Sequence, residues 1–234
     1  MRLNYLILTS FISLFFIQKN YAQDWNEFAN TSRYEKANLE LKLHTKAKNR
    51  VVFMGNSITE GWVMMRPEFF KGRDYINRGI GGQTTPQMLL RFRSDVINLN
   101  PKVVVILAGT NDIAGNTGYI SLESIIDNIK SMAEIANAND IKVVISSILP
   151  AIEYLWKPGL NPATKIVKIN KVLKEYSEEN NFIYLDYYSA MEDGKGGLKV
   201  PDYTAANDLV HPNKAGYLVM EKLAEDAIEK ALNN

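Results

Sequence analysis

The run Lys102-Val103-Val104-Val105-Ile106-Leu107-Ala108, broken at once by Gly109-Thr110-Asn111-Asp112, decides how the chain folds. β-Branched and other apolar residues follow one another without polar alternation, so the segment reads as a strand covered on both faces. Such a strand belongs inside a parallel sheet between layers of helix. The abrupt change to Gly-Thr-Asn-Asp puts polar groups at the strand's carboxyl end, the edge where open α/β sheets bind ligands.

Similar segments lie on either side. Val51-Val52-Phe53-Met54 runs into Gly55, Asp74–Ile80 is a second strand, Lys142–Leu149 is stopped by Pro150, and Phe182–Tyr187 is a fifth. Helical segments alternate with them. Residues 24–49 read as largely helical. Pro86–Leu99 has Thr84 or Thr85 as N-cap and Pro86 in its first turn. Ser121–Asn137 repeats apolar residues at helical spacing through Leu122, Ile125, Ile126, Ile129, Met132, Ala133 and Ala136. Thr164–Glu179 and Asn213–Leu232 complete the series. Alternating strands and helices predict an α/β fold: a five-stranded parallel sheet with helices on both faces.

The chain has 234 residues and a net charge of +1, with 46% hydrophobic and 23% charged residues. That is enough for one well-buried domain, and nothing in the charge balance calls for nucleic acid. Residues 1–22 read as a signal peptide: Arg2, a mostly apolar Leu3–Ile17, then Lys19-Asn20-Tyr21-Ala22. The apolar stretch is short for a membrane span, which needs about 20 residues. Residues 23–234 are then a single exported domain, periplasmic or extracellular in a bacterium, with no stable membrane insertion after processing. Cysteine is absent, which excludes disulfides, cysteine nucleophiles and thiolate-bound metals. No cofactor and no metal is expected; oligomeric state is open.

Four polar clusters carry the chemistry: Gly55-Asn56-Ser57-Ile58-Thr59, Asn77-Arg78-Gly79-Ile80-Gly81-Gly82, Gly109-Thr110-Asn111-Asp112, and Asp208-Leu209-Val210-His211-Pro212-Asn213. The first three follow strands and the fourth follows the loop after the last strand, so all should meet at one sheet edge. Ser57 is open to two readings, a nucleophile at a strand-to-helix turn or a helix cap. Asn111 is either a donor to a developing negative charge or part of an Asx turn. Asp208 and His211 are spaced so that a carboxylate reaches one imidazole nitrogen and leaves the other free. Of the two histidines, His44 lies in a charged amphipathic stretch and reads as a surface residue, leaving His211 as the general base.

Taken in order, the four clusters resemble the signature blocks of the SGNH subgroup of GDSL esterases and acylhydrolases, over residues 51 to about 220. The second and fourth are particularly similar to the platelet-activating-factor acetylhydrolase-like and carbohydrate-deacetylating branches. The resemblance implies a three-layer α/β/α sandwich of flavodoxin type. It implies Ser57 as nucleophile, Asp208 and His211 completing a triad, and an oxyanion hole made by the backbone N–H groups of Ser57 and Gly82 and the side-chain amide of Asn111. One departure is the Gly-Asn-Ser of the first block, which has Asn56 where the family pattern has aspartate.

The implied activity is that of a secreted serine esterase hydrolysing short acyl esters, acetyl above all, on a small molecule or carbohydrate. A lysophospholipase or thioesterase with a longer acyl pocket is the enzymatic alternative. A non-catalytic carbohydrate-binding protein on the same scaffold is the other. The loops Gly61–Arg73 and Pro150–Thr164 are expected to wall the pocket with Trp62, Phe69, Phe70, Tyr154 and Trp156.

Overall fold

A computed structural model describes residues 24–43 and 48–234. The signal-peptide reading of residues 1–22 and the surface reading of His44 fall outside them. Five strands, β1 (Val51–Gly55), β2 (Tyr75–Gly79), β3 (Val103–Leu107), β4 (Lys142–Ser146) and β5 (Ile183–Leu185), form one sheet in the order β2-β1-β3-β4-β5. Every pairing is parallel, with Val51 of β1 opposite both Tyr75 and Val103. The α/β fold read from the sequence is the one that forms.

Ten α-helices lie among the described residues: α1 (Trp25–Ala29), α2 (Glu35–Leu43), α3 (Ser57–Met65), α4 (Pro67–Phe70), α5 (Thr85–Asp95), α6 (Thr110–Ile113), α7 (Leu122–Asn137), α8 (Pro162–Glu179), α9 (Tyr187–Met191) and α10 (Lys214–Asn233). α3 and α10 touch each other, α3 packing on β1 and β2 and α10 on β3 to β5. α5, α7 and α8 form a second contiguous layer on the other face. This division follows from right-handed crossovers: the chain moves from β1 out to β2, then reverses over β1 to reach β3, so the intervening helices fall on opposite faces. The reversal creates a crevice at the carboxyl ends of β1 and β3.

Several boundaries differ from the sequence reading: β4 ends at Ser146, not Leu149, α8 starts at Pro162, not Thr164, and three further differences have a visible cause. The N-terminal stretch is not one helix, because Asn30 adopts φ 50° and separates α1 from a 3₁₀ turn at Thr31–Tyr34. α5 ends at Asp95, and a short 3₁₀ turn, Ile97–Leu99, replaces its expected last turn. β5 stops at Leu185 because the Asp186 carboxylate accepts from the Ser189 backbone N–H at 2.9 Å and starts α9, so Tyr187 is helical.

The core is continuous across the sheet, with all of β1 and β3 buried. Trp62 and Phe69 stack at a centroid separation of 5.0 Å, and Phe53 meets both edge-on, with Phe70 and Tyr75 alongside. The sequence reading expected Trp62, Phe69 and Tyr154 to wall a pocket; all three are instead buried, Trp62 and Phe69 in the core beneath α3. Residues 57–65 and 67–70 are helical, which turns these rings toward the sheet. Among the described residues no helix is long and apolar enough to cross a membrane.

Candidate active site

The first side of the site grows from β1. A Cβ on Gly55 would come 2.0 Å from Thr59 Oγ1, so only glycine lets the chain turn this tightly into α3. Asn56, buried at the turn, caps α3: its side-chain oxygen accepts from the Ile58 N–H at 3.0 Å. The departure from the family pattern thus keeps a good helix cap. Ser57 is then the first residue of the helix, not its cap, and its backbone N–H finds no acceptor among the described residues. Unsatisfied N–H groups at a helix start favour negative charge.

β2 supplies the facing loop. A Cβ on Gly79 would lie 2.1 Å from the Glu60 nitrogen, so this glycine admits the first turn of α3 against the end of β2. Asn77 fastens the junction, donating to the Thr59 carbonyl and accepting from the Gly79 N–H at 2.9 Å. The chain then turns through Gly82 at φ 74°, in the left-handed region that favours glycine. The Gly82 N–H also has no acceptor among the described residues.

β3 ends in α6, which locks that loop. Asn111 Nδ2 donates to the Gln83 carbonyl at 3.0 Å, which fixes the amide plane and leaves the second amide hydrogen for another acceptor. The neighbouring Asp112 carboxylate accepts from the Thr85 N–H at 2.9 Å and from its hydroxyl at 2.6 Å. Burial raises the Asp112 pKa, and the Thr85 hydrogen bonds only partly offset this. Asn111 is therefore a cross-link to the second cluster and not an Asx turn.

The fourth cluster comes from the loop before α10. His211 Nε2 lies 2.8 Å from Ser57 Oγ, and His211 Nδ1 lies 2.9 and 3.0 Å from the two oxygens of Asp208. Leu209 adopts φ 65°, a costly conformation for a branched residue, and this curls the loop so that Asp208 also accepts from the backbone N–H groups of Val210 and His211. Thr204 Oγ1 holds the His211 carbonyl at 2.8 Å. Partial burial works to raise the Asp208 pKa, but the N–H and ring of His211 outweigh it and hold the carboxyl below its ordinary range.

The structure thus brings Ser57, His211 and Asp208 into one chain of hydrogen bonds and ties Asn111 of α6 to the loop that carries Gly82. Beneath that loop lies a residue the sequence reading missed. Arg91 is wholly buried and donates to the Gln83 side chain, to the carbonyls of Gly55 and Arg78, and to Asp95. Burial lowers its pKa, opposed by Asp95. The Arg91–Asp95 spacing of four on a helix was a visible pairing signal, but its burial was not. Also missed was the capping box of Thr84 and Gln87, although Thr-x-x-Gln before an apolar stretch is its sequence signature.

Cavities in the molecule differ in how close they come to these elements. One of about 280 Å³ sits between the loops after β3 and β4, lined by Gly115, Tyr119, Lys157, Leu160 and Lys165 among others. It begins at Asp112, the residue after Asn111, and Asn116 beside it donates to the Gly82 carbonyl at 3.2 Å. A larger groove of about 510 Å³ is lined by residues such as Asn26, Glu35 and Asn98 and touches none of the four clusters, so the chemistry favours the smaller one.

A parallel sheet carrying polar clusters along one carboxyl edge, with serine, histidine and aspartate in hydrogen-bonded sequence, defines a hydrolase-type α/β centre. The chain belongs to the GDSL-like lipase/acylhydrolase family, whose model matches residues 53–219. A GDSL-like lipase of Bacteroides thetaiotaomicron superposes with a TM-score of 0.83 at 50% identity, over 88% of this chain and 100% of that one. Among curated relatives, the lipoprotein YqeF of Bacillus subtilis is 33% identical over 64% of this chain; the match spans 60% of that longer protein. The platelet-activating factor acetylhydrolase IB subunit alpha2 of Homo sapiens is 29% identical over 77% of this chain and 80% of its own length. The acetylxylan esterase of Geobacillus stearothermophilus is 25% identical over 63% of this chain and 68% of its own.

Proposed function

We propose that this protein is an exported serine esterase that removes short acyl groups, acetyl in particular, from carbohydrate. The observation that carries the reading is the continuous hydrogen-bond chain from Ser57 Oγ through His211 to Asp208. With the Nδ1 proton directed at Asp208, Nε2 accepts the Ser57 proton as Oγ attacks the ester carbonyl. The carbonyl oxygen becomes an oxyanion held by the N–H groups of Ser57 and Gly82 and the Asn111 amide. His211 then passes its proton to the departing sugar hydroxyl, leaving an acyl-Ser57. Water, deprotonated by His211, releases the carboxylic acid and restores the serine.

Three features support the substrate class. A cavity of about 280 Å³, lined by none of Ser57, Gly82, Asp208 and His211 but starting at the residue after Asn111, offers room for a single sugar unit beside the reacting ester. Tyr119 is almost fully exposed at its rim, and Trp156 is half-exposed and stacked on Tyr154 at 5.0 Å, giving flat faces for a sugar ring. An acetylxylan esterase and a platelet-activating factor acetylhydrolase are both relatives, and both names describe removal of acetyl groups. Export rests on the N-terminal sequence.

The test is acetate release from acetylated xylo-oligosaccharides and p-nitrophenyl acetate by residues 23–234, beside Ser57→Ala. Release that disappears in the variant, and that falls as the acyl chain lengthens, is the expected result. Equal rates in both proteins would remove Ser57 from the mechanism, and a preference for long acyl chains would replace the substrate class.

A further inference from the structure

The segment of residues 24–43 precedes the part of the chain that matches the family model, residues 53–219. It nevertheless fastens to the loop that carries Gly82 at several points. Gln83 Nε2 donates to the Ala29 carbonyl and Gln87 Nε2 to the Phe28 carbonyl, both at 2.7 Å. The Tyr34 hydroxyl donates to the Gly79 carbonyl, and Arg78 donates to Asn38 Oδ1 at 2.7 and 2.9 Å. The most telling contact passes through Glu60. One carboxylate oxygen accepts from Arg33 at 3.1 Å and the other from the Gly81 N–H at 2.9 Å.

Glu60 occupies an unusual place. It sits one turn after Ser57 on α3, and it holds the N–H of the residue just before Gly82. A methyl group on Gly81 would lie 3.0 Å from Glu60 Oε2 and 3.9 Å from Ser57 Cβ, so Gly81 adjoins both the carboxylate and Ser57. By engaging the Gly81 N–H, Glu60 fixes the Ile80–Gly81 peptide, one before the peptide that carries the Gly82 N–H. As a negative charge near a developing oxyanion, it also opposes the charge that the site must stabilise. Arg33, brought in by the N-terminal segment, places a positive charge on that carboxylate.

We propose that Arg33 and Glu60 are positioning residues of the oxyanion loop: Glu60 anchors the Ile80–Gly81 peptide from which the chain turns to present the Gly82 N–H, and Arg33 neutralises Glu60 so that this does not penalise the oxyanion. The segment before the family-matched region is thereby part of the working site. This rests on the Ser57 esterase reading. Neither side chain is assigned contact with the reacting atoms.

The experiment is a double-mutant cycle read by steady-state hydrolysis of p-nitrophenyl acetate and by the rate at which a fluorophosphonate labels Ser57, whose phosphoryl oxygen uses the same donors. Arg33→Ala should lower kcat and the labelling rate roughly ten-fold, with KM within about two-fold and Tm little changed. Arg33→Lys should recover most of the loss, since a point charge suffices. Glu60→Gln keeps an acceptor for Gly81 and removes the charge, so it should stay within about three-fold of the parent. In that background Arg33→Ala should cost less than about two-fold. An unchanged kcat in Arg33→Ala, or the same ten-fold loss with and without Glu60→Gln, overturns the proposal while the esterase reading stands. A parent enzyme that neither hydrolyses nor labels overturns both.

Discussion

Arg91 and His211 serve one site from opposite surroundings. The Arg91 side chain has no exposed area and spends its hydrogen bonds on β1, β2 and α5, whereas His211 is 38% exposed and its carboxylate partner Asp208 36%. The proposed oxyanion side of the site is thus built into the interior, through Arg91, Gln83 and Asn111. The proposed proton-transfer side is a surface loop that stiffens itself with short-range bonds to Asp208 from the N–H groups of Val210 and His211. The difference fits the tasks. Dipoles that stabilise charge must not reorganise during reaction, whereas a proton carrier needs one correct tautomer and access to water. Stability and turnover should therefore separate between the two sides.

The largest effect expected is on the exposed side. His211→Ala and Asp208→Asn should each lower kcat about 10⁴-fold, while urea denaturation shifts by no more than about 1 kcal/mol. Comparable losses of stability and activity would erase the distinction. On the buried side the balance reverses. Arg91→Met should cost about 3–5 kcal/mol, because it strands the buried Asp95 carboxylate, and Arg91→Met with Asp95→Leu should recover part of that. A loss under about 1 kcal/mol would show that Arg91 does not hold the interior together.

Asn111→Ala lies between these. It removes both the proposed oxyanion donor and the bond to the Gln83 carbonyl, so kcat should fall about 10²–10³-fold, equivalent to about 2.7–4 kcal/mol, with KM little affected. A decrease of only a few-fold would remove Asn111 from the oxyanion hole. The smallest effect concerns pH. The Asp208 carboxyl is depressed in the folded protein, so its stabilising contribution is complete above the unfolded carboxylate value of about 3.9 and is lost as pH falls through the folded value. The Tm difference between the parent and Asp208→Asn should accordingly be constant at neutral pH and close only under acid. A difference that already closes between pH 7 and pH 5 would mean that the carboxylate is not held in this way.

The readable and unreadable parts of the molecule divide along similar lines. Strand cores such as Val103–Leu107 were legible because burial on both faces leaves no polar residue in the run. The placement of Asp208 beside His211 was legible because their contact is local. Ser57 and His211 are 154 positions apart, and only strand order suggested that they meet. Asn56 stood in plain view as a helix cap, yet the sequence left that role open to Ser57. Trp62 and Phe69 carried no sign of whether they faced a cavity or the sheet; the helical turns of α3 and α4 settled it.

The sequence by itself determined the alternation of strands and helices, the edge at which the polar clusters lie, and the residue types available for chemistry, because these depend on neighbours along the chain. Only the tertiary structure decided that Arg91 underpins the loop, that Asn111 is held by Gln83, and that Arg33 reaches Glu60. Those contacts join residues 27 to 36 positions apart across different elements, and their geometry exists only once the sheet has assembled and excluded water. An arginine in a sequence gives no sign of whether it will face solvent or the carbonyl at the end of a buried strand. Packing decides which, through the cost of leaving that carbonyl unpaired.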